Sequence, residues 1–198
     1  MKKIALLLVL AISPSLANAN LLINGSFEAE SQAAGTWGIY ANLTGWTGQN
    51  DIELRNNVAG TASEGVNFVE LDTTKNNSMF QVVSTTAGLT YNLSFDYAAR
   101  AGVTSASNPI KAFWNGIELV KATGSGIGKT GNNWVTLDFE VIATGNDKLT
   151  FSAVGTSDSY GGSLDNVVLT SAVPEPSTYG MMLAGLGLIG FSAGRRMR

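Results

Sequence analysis

Glu53, Glu70, Asp72 and Asp96 lie in strand-like segments and are the residues of this chain best suited to acid–base chemistry. A glycosidase needs two such groups, about 5 Å or about 6.5 to 9.5 Å apart. No motif selects any two of the four, and ordinary surface positions account for them equally well. Most other catalytic routes close on composition. The 198 residues include no His and no Cys. That removes the imidazole base, the Ser-His-Asp triad, cysteine nucleophiles, disulfides and the usual zinc sites. The expectation is a protein that is not an enzyme.

Aromatic faces offer a second kind of chemistry. Sugar rings lay their CH groups on exposed aromatics, with polar side chains close by. Trp37 and Tyr40 lie in a Gly-rich segment, and Phe113 and Tyr160 are further aromatics expected at the surface. Asp96, Arg100 and Glu118 are the expected polar partners. The candidate sugar-binding set is therefore Trp37, Tyr40, Asp96, Arg100, Phe113 and Glu118. Trp46, Trp114 and Trp134 are expected in the core. Charge points away from one partner class. Between Asn20 and Ala172 there are 14 acidic and 7 basic residues, a net charge of −7. An acidic domain without a basic stripe argues against nucleic-acid binding.

These residues must be positioned by strands. Nothing between 20 and 172 reads as a long amphipathic helix. Strand patterns recur at 51–55, 66–71, 79–83, 91–98, 110–120, 134–142, 148–154 and 163–170, separated by Gly- and Asn-rich turns. Many short strands at such spacing predict an all-β sandwich or barrel. Asn115-Gly116 between two apolar runs predicts a type I′ hairpin. A two-residue loop there pairs Trp114 with Ile117, Phe113 with Glu118 and Ala112 with Leu119. Alternation then places Ile110, Ala112, Trp114, Ile117 and Leu119 on the core face, and Lys111, Phe113, Glu118 and Val120 on the other. Tyr91, Leu93, Phe95 and Tyr97 share one face, as do Val135, Leu137, Phe139 and Val141.

Both ends read as processing segments. Met1-Lys2-Lys3, the apolar run Ile4–Ile12 and Ala17-Asn18-Ala19 form a secretory signal peptide over residues 1–19. Signal peptidase is the implied partner. At the other end, Pro174-Glu175-Pro176 precedes an uncharged, mostly apolar stretch from Tyr179 to Gly194, then Arg195-Arg196-Met197-Arg198. Sixteen helical residues reach about 24 Å, short of the roughly 30 Å hydrocarbon core. Such a stretch makes a brief membrane stop, with the arginines kept cytoplasmic.

This order of motif, short apolar helix and basic end resembles the PEP-CTERM sorting signal over residues 173–198. The resemblance implies a Gram-negative bacterium and cleavage near Pro176 by an exosortase. It also implies transient membrane anchoring, then delivery to the cell surface or the exopolysaccharide of a biofilm matrix.

Residues 20–172 carry a second resemblance. Asn20-Leu21-Leu22-Ile23-Asn24-Gly25-Ser26-Phe27-Glu28 opens the domain as a first strand, Gly45-Trp46 follows, and Leu164-Asp165-Asn166-Val167-Val168-Leu169 closes it. Together they look like the jelly-roll carbohydrate-binding modules of the galactose-binding-like superfamily. The implied fold is all-β: a two-sheet jelly-roll β-sandwich, flanked by a signal-peptide helix and a short hydrophobic C-terminal helix. In such modules a structural Ca²⁺ commonly ties the start of the domain to its last strand. Glu28 and Asp165 match its carboxylate ligands, with backbone carbonyls and water completing six to eight oxygens. The implied function is polysaccharide binding without catalysis. A structural matrix protein without a sugar ligand and a glycan hydrolase are the alternatives.

Overall fold

The computed structural model describes residues 19–172, 180–181 and 183–188. The signal peptide, apart from Ala19, lies outside the described residues, as do Pro174, Glu175, Pro176, Tyr179, Gly194, Arg195, Arg196 and Arg198. Residues 180–181 and 183–188 are helical. Among the described residues, no helix is long and apolar enough to cross a membrane.

Asn20–Val173 forms one compact unit. Its ten strands are β1 (Thr36–Leu43), β2 (Trp46–Asn56), β3 (Asn67–Glu70), β4 (Ser78–Ser84), β5 (Thr90–Ala98), β6 (Ile110–Trp114), β7 (Ile117–Ala122), β8 (Val135–Ile142), β9 (Asn146–Ala153) and β10 (Ser163–Ser171). They join antiparallel in the order β7-β6-β9-β4-β2-β3-β10-β5-β8, with β1 paired to β2. The long β2 links two layers. Thr47 and Gly48 pair with β4, whereas Glu53 to Asn56 pair with β3. Folding over at β2 gives one layer of β8-β5-β10-β3 with the end of β2 and β1, and a second of β4-β9-β6-β7. This is the expected jelly-roll sandwich.

Aromatic packing closes the layers on each other. Phe95 of β5 meets Phe151 of β9 edge-on, with ring centroids 4.9 Å apart. Phe151 meets Trp46, which meets Phe27. All four rings are buried. Each buried large side chain contributes about 1.5 to 3 kcal/mol, so this chain of rings is a main anchor between the layers.

Three local expectations need correction. Residues 20–28 are turns, not a first strand. Asn24 and Phe27 take positive φ angles of 54° and 59°, which breaks an extended run. The segment still docks on β10: Leu21 N–H donates to Leu169 O and Val167 N–H to Gly25 O. A Cβ on Gly25 would stand 2.0 Å from Val167 O, so the Asn-Gly step permits this contact. Second, Thr36–Leu43 is a strand although Gly and Asn interrupt its apolar pattern. Third, the hairpin register slips. Trp114 pairs with Ile117 and Phe113 with Glu118, but a bulge then matches Ala112 to Val120. The turn has the expected positive φ at Asn115 and Gly116. Val120 therefore packs partly against the core. Ile117, expected inside, is 71% exposed, because β7 ends the sheet and no described strand lies beyond it.

One end of the sandwich is tied by Asp147. Its carboxylate accepts from Thr85 Oγ1, Asn115 Nδ2, Thr144 N–H and Thr144 Oγ1. A single side chain thus links three turns.

Candidate functional site

Cross-strand register decides which side chains share a face. In the β1–β2 ladder Trp37 lies opposite Arg55 and Ile39 opposite Glu53. In β3, Phe68 lies opposite Arg55 and Glu70 opposite Glu53. Neighbours across a ladder point the same way. Ile52, Leu54 and Val69 face the core, so this row occupies the opposite face of the first layer.

A chain of ion pairs runs across that face. Arg55 Nε donates to Glu53 Oε1 at 2.6 Å and Arg55 Nη2 meets Glu70 Oε2 at 3.1 Å. Glu70 Oε1 accepts from Arg100 Nη1 at 3.0 Å and from Gly161 N–H. The Arg100 guanidinium lies 4.5 Å from the centre of the Tyr160 ring. The strip therefore reads Trp37, Arg55, Glu70, Arg100, Tyr160. Its middle is buried and its two aromatic ends are open: Trp37 is 53% and Tyr160 50% exposed. Burial pushes the Glu70 carboxyl up to about 7 even though Arg55 and Arg100 pull it down. Such a buried network fixes geometry; each break in it leaves an unpaired charge.

The other expected sugar-binding residues separate. Asp96 is buried and fully occupied, accepting from Ser63 Oγ, Thr136 Oγ1 and Asn166 Nδ2. It ties down the 57–66 loop. Tyr40 lies opposite Ile52, packs against the core and donates from its hydroxyl to Gln32 Oε1. Phe113 and Glu118 pair with each other on the second layer, where Glu118 meets Lys111 at 2.6 Å. Of the expected set, only Trp37 and Arg100 meet on one strip. Tyr160 joins them, through a loop contact that no sequence spacing encodes. Of the tryptophans expected in the core, Trp46 and Trp114 are buried there. Trp134 is half-buried and packs edge-on against Phe68, outside the core cluster.

Glu28 and Asp165, expected as calcium ligands, converge on one loop. Glu28 Oε1 accepts from Val66 and Asn67 N–H, at 2.8 and 2.7 Å. Asp165 Oδ2 accepts from Ser63 and Glu64 N–H, and its Oδ1 from Asn166 N–H. No Lys or Arg among the described residues pairs with Asp165. Burial pushes its carboxyl up to about 7, and the neighbouring Glu64 adds to that. Three backbone N–H groups already donate to its oxygens, so a cation here would have to compete with them. The donor count is low, since no three acidic side chains group together among the described residues. Backbone carbonyls and water would have to supply the remaining oxygens.

Residues 172–198 match the PEP-CTERM protein-sorting motif. The chain ends in a PEP-CTERM sorting signal. That signal marks a protein for export and for sorting to the cell envelope or surface. A multifunctional-autoprocessing repeats-in-toxin protein of Vibrio cholerae is 32% identical over 157 residues. The match takes in 77% of this chain, but the chain spans only 3% of that protein's length. Among solved structures, TmCBM61 in complex with β-1,4-galactotriose is 21% identical over 77% of this chain and 99% of its own, with a TM-score of 0.50. A family 35 carbohydrate-binding module from Clostridium thermocellum is 18% identical, covers 70% of this chain and 100% of its own, and has a TM-score of 0.45. The sandwich shares its fold with the carbohydrate-binding module TmCBM61.

Proposed function

We propose that an exosortase processes this protein at the inner membrane of a Gram-negative bacterium and so releases it to the surface or matrix, and that its sandwich binds matrix polysaccharide without cutting it. The observation that carries the binding reading is the strip from Trp37 to Tyr160. Two open aromatic faces stand at the ends of a rigid ion-paired row, on a sheet face turned away from the core. Aromatic faces accept the CH side of a sugar ring, and the Arg100 guanidinium against the Tyr160 ring keeps that face in place at little entropic cost. Catalysis finds less support. Glu53 and Glu70 are engaged by arginines, Asp96 by three donors, and Asp72 by the N–H groups of Asp158 and Ser159. Calcium at Glu28 and Asp165 belongs to the same proposal, as a charge that would hold the 63–67 loop between the two ends of the domain.

Affinity electrophoresis tests the reading. Trp37→Ala and Tyr160→Ala should each weaken retention by a neutral galactan about tenfold. Their melting temperatures should stay within about 2 °C of wild type, since exposed substitutions usually change stability by no more than about 0.5 kcal/mol. Retention unchanged in both variants would sink the strip as a binding site. Release of reducing ends from the polymer would replace binding with hydrolysis.

A further inference from the structure

The nine-strand path from β7 to β8 does not close. Among the described residues, its end strands, β7 and β8, each lack a neighbour on one side. Between them runs a groove of about 330 Å³, lined by residues of both strands. That lies within the roughly 300 to 1,000 Å³ of small-ligand sites. Tyr97, Val120, Val135 and Leu137 give it an apolar lining, and Lys121 and Lys129 supply its charge. Val135, which the alternation of β8 places inward, is 54% exposed.

The two lysines stand out against the domain's charge. Of the seven basic residues between Asn20 and Ala172, Arg55, Arg100 and Lys111 are ion-paired, and the ammonium of Lys148 lies 3.9 Å from the centre of the Phe80 ring. Lys75, Lys121 and Lys129 have no acidic partner within ion-pair distance among the described residues. Two of these three line the same groove, in a domain of net charge −7. The acidic residues of β8, Asp138 and Glu140, lie on the opposite face of their strand and line a different groove.

We propose that the β7–β8 seam binds a glycan bearing carboxylates, a uronic-acid polymer, with its CH faces on the apolar lining and its carboxylates on Lys121 and Lys129. The proposal rests on the carbohydrate-binding reading but uses a separate site from the Trp37 strip. Charge complementarity selects this occupant. An added peptide strand fits less well, because the bulge in the β6–β7 ladder twists that edge away from regular pairing.

The test is affinity electrophoresis of the full-length protein in gels containing polygalacturonate, neutral galactan or dextran sulfate. Its variants are Lys121→Gln/Lys129→Gln and Trp37→Ala. The double lysine variant should bind polygalacturonate about tenfold more weakly, as expected for two exposed charge contacts, and galactan as wild type does. The basic termini are identical in both proteins, so the difference reports on the seam. Unchanged polygalacturonate binding in the double variant overturns the seam site. So does an equal loss on dextran sulfate, which would mean bare charge attraction. Wild-type retention by galactan alone overturns the seam and leaves the general reading intact. Retention by no polymer overturns both.

Discussion

Replacing Asp147 by Asn should destabilise the domain in a pH-dependent way. Burial alone would raise this carboxyl, but bonds from Thr85, Asn115 and Thr144 outweigh it and hold it at about 2, against an ordinary 3.8. A depressed folded-state value means that ionisation stabilises the fold. That stabilisation is complete above the unfolded value near 3.8 and disappears as pH falls through about 2. Nearly two pH units correspond to about 2 kcal/mol at neutral pH. An asparagine keeps the shape but loses the charge, and its amide N–H₂ faces donors that the carboxylate oxygen accepted from. The cost at pH 7 should be about 3 kcal/mol, or roughly 6 to 12 °C in Tm for a domain of this size. Urea unfolding followed by circular dichroism, at steps from pH 7 to pH 2, measures it. The gap between wild type and Asp147→Asn should be constant from pH 7 to about pH 5, then narrow by about 2 kcal/mol by pH 2. A gap that stays constant across the whole range would show that the charge contributes nothing and that the three-turn knot holds by shape alone.

If Glu28 and Asp165 hold Ca²⁺, a hundredfold excess over Kd stabilises the native state by about 2.7 kcal/mol; EDTA should then lower Tm by several degrees, and Asp165→Ala should abolish the response. A melt of metal-free protein that ignores both calcium and EDTA would eliminate the ion. Changing Pro174 and Pro176 to Ala should leave a full-length, membrane-bound form. A wild-type surface protein whose mass still includes residues 179–198 would overturn exosortase processing.

The legible parts were those governed by neighbours in the chain. Alternation put Tyr91, Leu93, Phe95 and Tyr97 on the core face, where all four are buried. Asn115-Gly116 marked its turn, because two successive positive φ angles leave few residue choices. The order of Pro-Glu-Pro, apolar run and arginines is linear information and needs no fold to be read. Misreadings came where pairing between distant segments intervened. Asn20 to Glu28 looked extended, yet docks on β10 as turns. Val135 and Ile117 have inward phase but lie on end strands, where the second side of burial is missing.

The site divides in the same way. Sequence alone determined the exported, all-β character of the chain, its sorting tail, its acidic charge and the absence of His and Cys chemistry. Tertiary structure decided which of its aromatics and charges stand together. Phe113 and Asp96 carry the same residue-type signals as Trp37 and Arg100, but one lies on the other layer and the other is spent on holding a loop. The reason is range: alternation sets which side of a strand a residue takes, whereas β2 crossing between layers sets which strands become neighbours. Arg55, Glu70, Arg100 and Tyr160 come from four separate segments. Only the closing of the ladders brings them into one row.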